Sequence, residues 1–243
     1  MEESKEPRST EGSLPKSFRN KTRDWKERRV VDTWQIFKII AEFVEGFEKL
    51  SKIGPCVSIF GSARTPPGHP VYELTVQVAE ALSDHGYGVI TGGGPGVMEA
   101  GNKGAKEMGA NSVGLNIKLP FEQSFNPYID PQHLIEFDYF FVRKVMFVKY
   151  AQAFVGMPGG FGTLDELFEA LTLIQTLKID KFPIVLVGSE FWSGLVEWIK
   201  STQLESGFIS PEDIELFKIV DSAEEVVETI DNFYSKYFHR PNF

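Results

Sequence analysis

Beyond residue 55 the chain switches repeatedly between two periodicities, and glycine marks most of the switches. Apolar runs of ~4–6 residues read as strands at 56–60, 88–91, 112–116, 153–156, 183–187 and 217–220. Between them, apolar residues recur three and four positions apart, the helical spacing, over 71–85, 97–108, 164–177, 191–204 and 223–237. Gly61 and Gly86 close the first strand and the first of these helices. Strands alternating with helices mean βαβ units, whose right-handed crossovers build a parallel sheet covered on both faces. The expected fold class is therefore α/β, a doubly wound parallel sheet with helices on both faces.

Other segments add to this frame. Trp34, Phe37, Ile40, Ala41, Val44, Phe47 and Leu50 mark a leading amphipathic helix over 31–51, stopped by Gly54-Pro55. Residues 118–130, rich in Pro, Asn, Gln and Phe, read as an ordered loop, and 139–152 as a helix apolar nearly all round. The net charge of −9 is uneven: residues 1–29 hold nine Lys/Arg against six Asp/Glu, the remainder 16 against 28. The first 29 residues, basic and poor in apolar side chains, read as a tail; 30–238 reads as one domain and 239–243 as a short C-terminal tail. An acidic body excludes sequence-independent nucleic-acid binding, which needs a basic surface. No apolar run reaches the ~20 residues that span a bilayer, and the beginning lacks the apolar core of a secretory signal. One cysteine, Cys56, and four scattered histidines make neither a disulfide nor a metal-ligand spacing. The expectation is a cytoplasmic protein with no metal, no membrane and no nucleic-acid partner.

In doubly wound sheets ligands bind beyond the carboxyl ends of the strands. Three strand-following loops there are glycine-rich: Gly61-Ser62-Ala63-Arg64, Gly92-Gly93-Gly94-Pro95-Gly96, and Pro158-Gly159-Gly160-Phe161-Gly162-Thr163. The last two run into helices, whose first N–H groups and dipole attract anions. Glycine lets the backbone approach that anion closely. A phosphate-bearing ligand follows. The dinucleotide fingerprint is broken by Val97, and no Gly-Lys-Ser/Thr makes a nucleoside-triphosphate loop.

Gly92 to Ala100, Arg143-Lys144, and Pro158-Gly159-Gly160-Phe161-Gly162-Thr163-Leu164-Asp165-Glu166 together resemble the LONELY GUY family, often mislabelled as lysine decarboxylases. The resemblance spans 55–238, and the leading helix looks like the longer bacterial branch. It implies a Rossmann-like domain, a homodimer or larger homo-oligomer, and cofactor-free hydrolysis of the N-glycosidic bond of a cytokinin-type purine nucleoside 5′-monophosphate, giving free base and ribose 5-phosphate. It also implies that Arg143 and Glu166 are the catalytic pair. Gln152 stands where many members carry Asp. A decarboxylase of the pyridoxal type needs a Schiff-base lysine and a partner for the pyridinium nitrogen, which nothing in the sequence marks. Hydrolysis of AMP itself, or noncatalytic carriage of a nucleotide or molybdenum cofactor, are the alternatives.

Cleavage builds positive charge on the ribose, which a carboxylate beneath the ring stabilises while it orients water. Glu166 suits that role; Arg143 would orient base or ribose. Gly61, Ser62, Gly93, Gly94, Gly96, Met98, Glu99, Lys144, Gly159, Gly160, Gly162 and Thr163 complete the candidate substrate and phosphate contacts. Each has a structural counterpart. Thr163 and Glu166 have the spacing of a capping box. Arg143, amid Phe140, Phe141 and Phe147, suits a snorkelling side chain or one half of a structural ion pair. Lys144, on another helix face, suits packing or a subunit contact. Glu99 favours a helix dipole as well as a ribose, and Arg64 a solvated loop as well as a phosphate.

Overall fold

The computed structural model describes residues 28–119, 125–236 and 242, with side chains from Trp34 onward. The two expected tails fall largely outside the described residues, as do 120–124 of the expected loop. The chain divides into two compact units, 1–41 and 42–243. The leading helix, α1 (Arg28–Leu50), ends near that expected from its periodicity.

The second unit carries, among the described residues, seven strands in one all-parallel sheet of order β4-β3-β2-β1-β5-β6-β7. They are β1 (Cys56–Phe60), β2 (Gly88–Thr91), β3 (Ser112–Ile117), β4 (Leu134–Phe137), β5 (Ala151–Gly156), β6 (Ile184–Val187) and β7 (Lys218–Val220). The connecting helices are α2 (Pro70–Asp84), α3 (Val97–Glu107), α4 (Phe140–Tyr150), α5 (Phe161–Gln175), α6 (Ser189–Trp198) and α7 (Ala223–Tyr234). The α/β, Rossmann-like expectation holds. No described helix is long and apolar enough to cross a membrane.

β1 shows how the sheet is covered on both faces, because side chains alternate along a strand. Val57 and Ile59 join Val78, Leu82, Val89, Val155, Val226 and Ile230 in a buried cluster under α2 and α7. Phe60, of opposite parity, stacks edge-on against Phe147 of α4 and Phe154 of β5, 4.8 and 4.9 Å between centroids. Trp192 of α6 is fully buried and its indole N–H is shared by the Gly156 and Val187 carbonyls, tying β5 to β6 at their carboxyl ends.

Four expectations change. A strand at 134–137, absent from the sequence reading, pairs with β3 at the sheet's edge. The helix expected over 139–152 is shorter, because Ala151 and Gln152 already belong to β5; it buries Val142, Met146, Phe147 and Val148 and leaves Phe140 and Phe141 half exposed. The helix expected to open at 164 begins at Phe161. The one expected over 191–204 is α-helical only to Trp198, and Ile199–Leu204 widens to π geometry.

Candidate active site

The strand order sets β2, β1 and β5 side by side, so the three glycine loops leave neighbouring carboxyl ends. The chain's direction across the sheet reverses between β1 and β5, the place where such sheets open a crevice. Backbone bonds join the loops: Ser62 N–H donates to Pro158 O and Val97 N–H to Ser62 O, both at 3.0 Å. Two glycines are demanded by this closeness. Gly96 has φ +71°, and a Cβ there would overlap Ser62 O and lie 2.7 Å from the Ala63 carbonyl carbon. A Cβ on Gly159 would strike Thr163 and come within 3.0 Å of Gly61.

The second loop is held from behind by a buried polar network absent from the sequence reading. Asn126 N–H donates to Gly93 O at 2.8 Å, and its Nδ2 to Gly94 O and to Asn102 Oδ1, each at 3.0 Å. Asn102 Nδ2 in turn reaches Ser112 Oγ and Val113 O, and Thr91 Oγ1, which donates to Asn102 Oδ1, accepts from Gly93 N–H. Thr91, Asn102 and Ser112 are fully buried. Their signal was visible: Asn102 interrupts the small-residue face of α3 formed by Ala100, Gly101, Gly104 and Ala105.

The third loop delivers the carboxylate. α5 begins at Phe161 with Gly160 as its N-cap and no side-chain cap. Thr163 is thus inside the helix, and the Thr163–Glu166 capping box does not form. Both instead lie on the buried face with Leu167, Ala170 and Ile174. Among the described residues nothing accepts from the N–H groups of Phe161, Gly162 or Thr163; unpaired donors at a helix start are an anion site. Phe161 itself is 92% exposed.

Glu166 is only 4% exposed. Its Oε1 lies 3.6 Å from Arg143 Nη2, beyond a hydrogen bond, while Glu166 Oε2 and Arg143 Nε are buried without a partner. Burial pushes the Glu166 carboxyl up to about 7 against the pull of Arg143 and Lys144. Burial likewise lowers Arg143 from its ordinary value, with Glu166 and Asp165 opposing. The guanidinium lies 5.0 Å from the Phe140 ring centre and 5.6 Å from that of Phe147. It also reaches the second loop: Nη1 is 3.7 Å from where a Gly92 Cβ would stand. Arg143 is therefore largely enclosed, its side chain 13% exposed, and incompletely paired rather than snorkelling. A carboxylate and a cation thus face one another beside a helix whose first N–H groups are free.

The other candidates sort by distance from this meeting point. Met98 packs its sulfur against Gly92. Glu99 accepts from the buried Tyr72 hydroxyl at 2.9 Å, which fixes it at the start of α3. Ser62 Oγ accepts from Arg64 N–H within its own loop, and Arg64 is exposed. Lys144 turns away from Arg143 to Asp165 and Glu169. Gln152 sits at the far end of β5 from the loop. Among the described residues no three His, Cys, Asp or Glu side chains gather as a metal site requires.

The chain is similar to known proteins in sequence and in fold. The family model described as "Possible lysine decarboxylase" matches residues 98–230, which include Arg143 and Glu166. A cytokinin riboside 5′-monophosphate phosphoribohydrolase of Mycobacterium tuberculosis is 32% identical over 167 residues, covering 68% of this chain and 88% of the relative. One from Oryza sativa subsp. japonica is 27% identical, covering 68% of each. Among solved structures, the molybdenum cofactor binding protein of Rippkaea orientalis superposes with a TM-score of 0.53 at 21% identity, over 74% of this chain and 96% of its own, a likeness of fold alone. A family model that matches more than half of the chain and a relative 32% identical along 88% of its length make the chain a member of the LONELY GUY family, the group of the phosphoribohydrolases it matches.

Proposed function

We propose that the protein hydrolyses the N-glycosidic bond of a purine nucleoside 5′-monophosphate, with N6-modified, cytokinin-type nucleotides as its substrates. The observation that carries this is Glu166: a buried carboxyl with one oxygen unpartnered, on the helix whose free N–H groups suit a phosphate. The 5′-phosphate would rest on Phe161, Gly162 and Thr163 N–H, the ribose over Glu166. As the C1′–N bond breaks, its electron pair leaves with the base and positive charge grows on the ribose, which the Glu166 carboxylate stabilises. Water adds to C1′, giving its proton to Glu166, from which it passes to the departing base. Arg143 hydrogen-bonds the base or ribose; as a guanidinium it remains a donor rather than an acid. Holding phosphate and carboxylate on one rigid helix is catalysis by positioning.

No cofactor enters this scheme. The free, buried Cys56 suits a reducing, cytoplasmic setting. Half-exposed Phe140 and Phe141 beside the crevice suit a homodimer or larger assembly.

The test incubates the chain with AMP and N6-isopentenyl-AMP and follows free base by chromatography. Release that is faster from the N6-modified nucleotide, and that falls at least ~100-fold in Glu166→Gln, is expected. Release from AMP alone would assign the unmodified nucleotide. No release from either, with tight nucleotide binding, would leave the carrier reading instead.

A further inference from the structure

The two adjacent cations of α4 do different things. Arg143 faces Glu166 loosely, at 3.6 Å. Lys144, one helical step round, places Nζ 2.8 Å from Asp165 Oδ1 and 2.6 Å from Glu169 Oε2. Those carboxylates are the sequence neighbour of Glu166 and the residue three beyond it, on the same α5 face edge. The Lys144 side chain is only 15% exposed, although its partners are more open, Asp165 at 57% and Glu169 at 35%. Two short ion pairs thus bracket one long one.

We propose that Lys144 is a positioning residue, not a ligand of the phosphate: it clamps α4 to α5 across Asp165 and Glu169, so that Arg143 stays beside Glu166 without being consumed by it. Two carboxylates already engage the ammonium, and its share of the interhelical attraction leaves the guanidinium fork available to a ligand. The clamp also sets charge around the reacting group. From α4, Arg143 and Lys144 face Glu166 and favour its ionised form; from α5 itself, Asp165 and Glu169 disfavour it, and burial disfavours it most. Removing Lys144 deletes one favourable charge and leaves Asp165 and Glu169 unneutralised, so both consequences move Glu166 the same way. Burial works against the Lys144 ammonium, but its pairing with Asp165 and Glu169 prevails and raises its pKa, so it stays charged throughout the range in which Glu166 titrates.

The inference rests on Glu166 as the reacting carboxylate, yet its test needs no turnover. Glutamate carboxyl carbons labelled with ¹³C are titrated by NMR, the Glu166 signal being assigned by its loss in Glu166→Gln. In Lys144→Gln the Glu166 midpoint should rise by roughly one pH unit, and in Lys144→Arg it should stay near the wild-type value. If nucleotide is hydrolysed, the acidic limb of the rate profile should move with it, while KM changes less than about threefold. An unmoved midpoint, or a large rise in KM with the midpoint unmoved, would overturn the clamp and make Lys144 a substrate contact. A moved midpoint in a chain that releases no base would keep the clamp and reject the hydrolase reading. Should Lys144→Gln not fold, competitive acetylation of the wild-type chain decides. Lys144 should react more slowly than exposed Lys118 and be indifferent to saturating AMP; protection of Lys144 by AMP would refute the clamp.

Discussion

Replacing Glu166 with Gln should make the folded protein more stable at alkaline pH and do nothing comparable in acid. Burial holds the Glu166 carboxyl near 7, where an unfolded chain would release the proton near 4.5. The sign follows from proton counting. Between those values the folded state keeps a proton that the unfolded state has lost, so stability falls as pH rises and levels off above 7. Each pH unit is worth about 1.36 kcal/mol, so ionising Glu166 costs the fold roughly 3 kcal/mol by pH 8. Glutamine never incurs that cost. Whatever the exchange of oxygen for nitrogen contributes is common to both ends of the range, so the quantity to read is the change in the variant-minus-wild-type difference. Urea unfolding at pH 4.5, 6, 7 and 8, followed by the fluorescence of the buried Trp192, should show that difference moving toward the variant by roughly 3 kcal/mol. In a chain of this size that is on the order of 6–12 °C in Tm. Parallel curves, or a variant that loses ground above pH 7, would mean that attraction to Arg143 outweighs desolvation and that Glu166 is an ordinary ion-pair partner.

Two further substitutions probe the loops. Gly96→Ala should destabilise by about 2–4 kcal/mol in thermal unfolding, since it adds left-handed strain to a clash with the first loop; a change under about 1 kcal/mol would show that the loops can part freely. Asn126→Ala leaves Gly94 O without its donor and Asn102 Oδ1 with one fewer, which should cost about 1–3 kcal/mol and raise the Kd for AMP by calorimetry. Unchanged affinity would confine the network to packing.

What could be read from the chain was whatever is written locally. The strands β1, β2, β3, β5, β6 and β7 announce themselves by apolar runs and flanking glycines, and the three loops by composition. β4 escaped because Leu134–Phe137 is an edge strand only four residues long, carrying a charged Glu136 after a segment with loop chemistry. The sequence pattern puts the start of α5 a turn late because Gly160 and Gly162 are poor helix formers. The helix nevertheless opens at Phe161, just after Pro158 and Gly159 meet the first loop, and so Thr163 and Glu166 become neighbours on a buried stripe instead of a cap. The helical step between Arg143 and Lys144 is legible in the sequence as two different faces, but the partners it gives them, Glu166 for one and Asp165 and Glu169 for the other, come from tertiary packing. The Asn102–Asn126 network joins residues from separate elements, so Asn102's break in the small-residue face of α3 marks a buried polar group without naming its partners.

The placement of β1 between β2 and β5 has a consequence for how the protein comes into being. Its partner on one side is the next strand in the chain, but on the other it is a strand that begins only at residue 151. Closing so long a stretch of chain is entropically expensive and slow relative to local pairing. The first two glycine loops can therefore form early, while the third arrives with β5 and brings α5 behind it. A nascent or truncated chain that stops short of Gly156 owns half a crevice and no carboxylate. On this topology the Glu166 carboxyl and the N–H groups beside it come next to the first two loops only once β5 has paired with β1, so the candidate site is a property of the completed sheet and of no smaller piece of it.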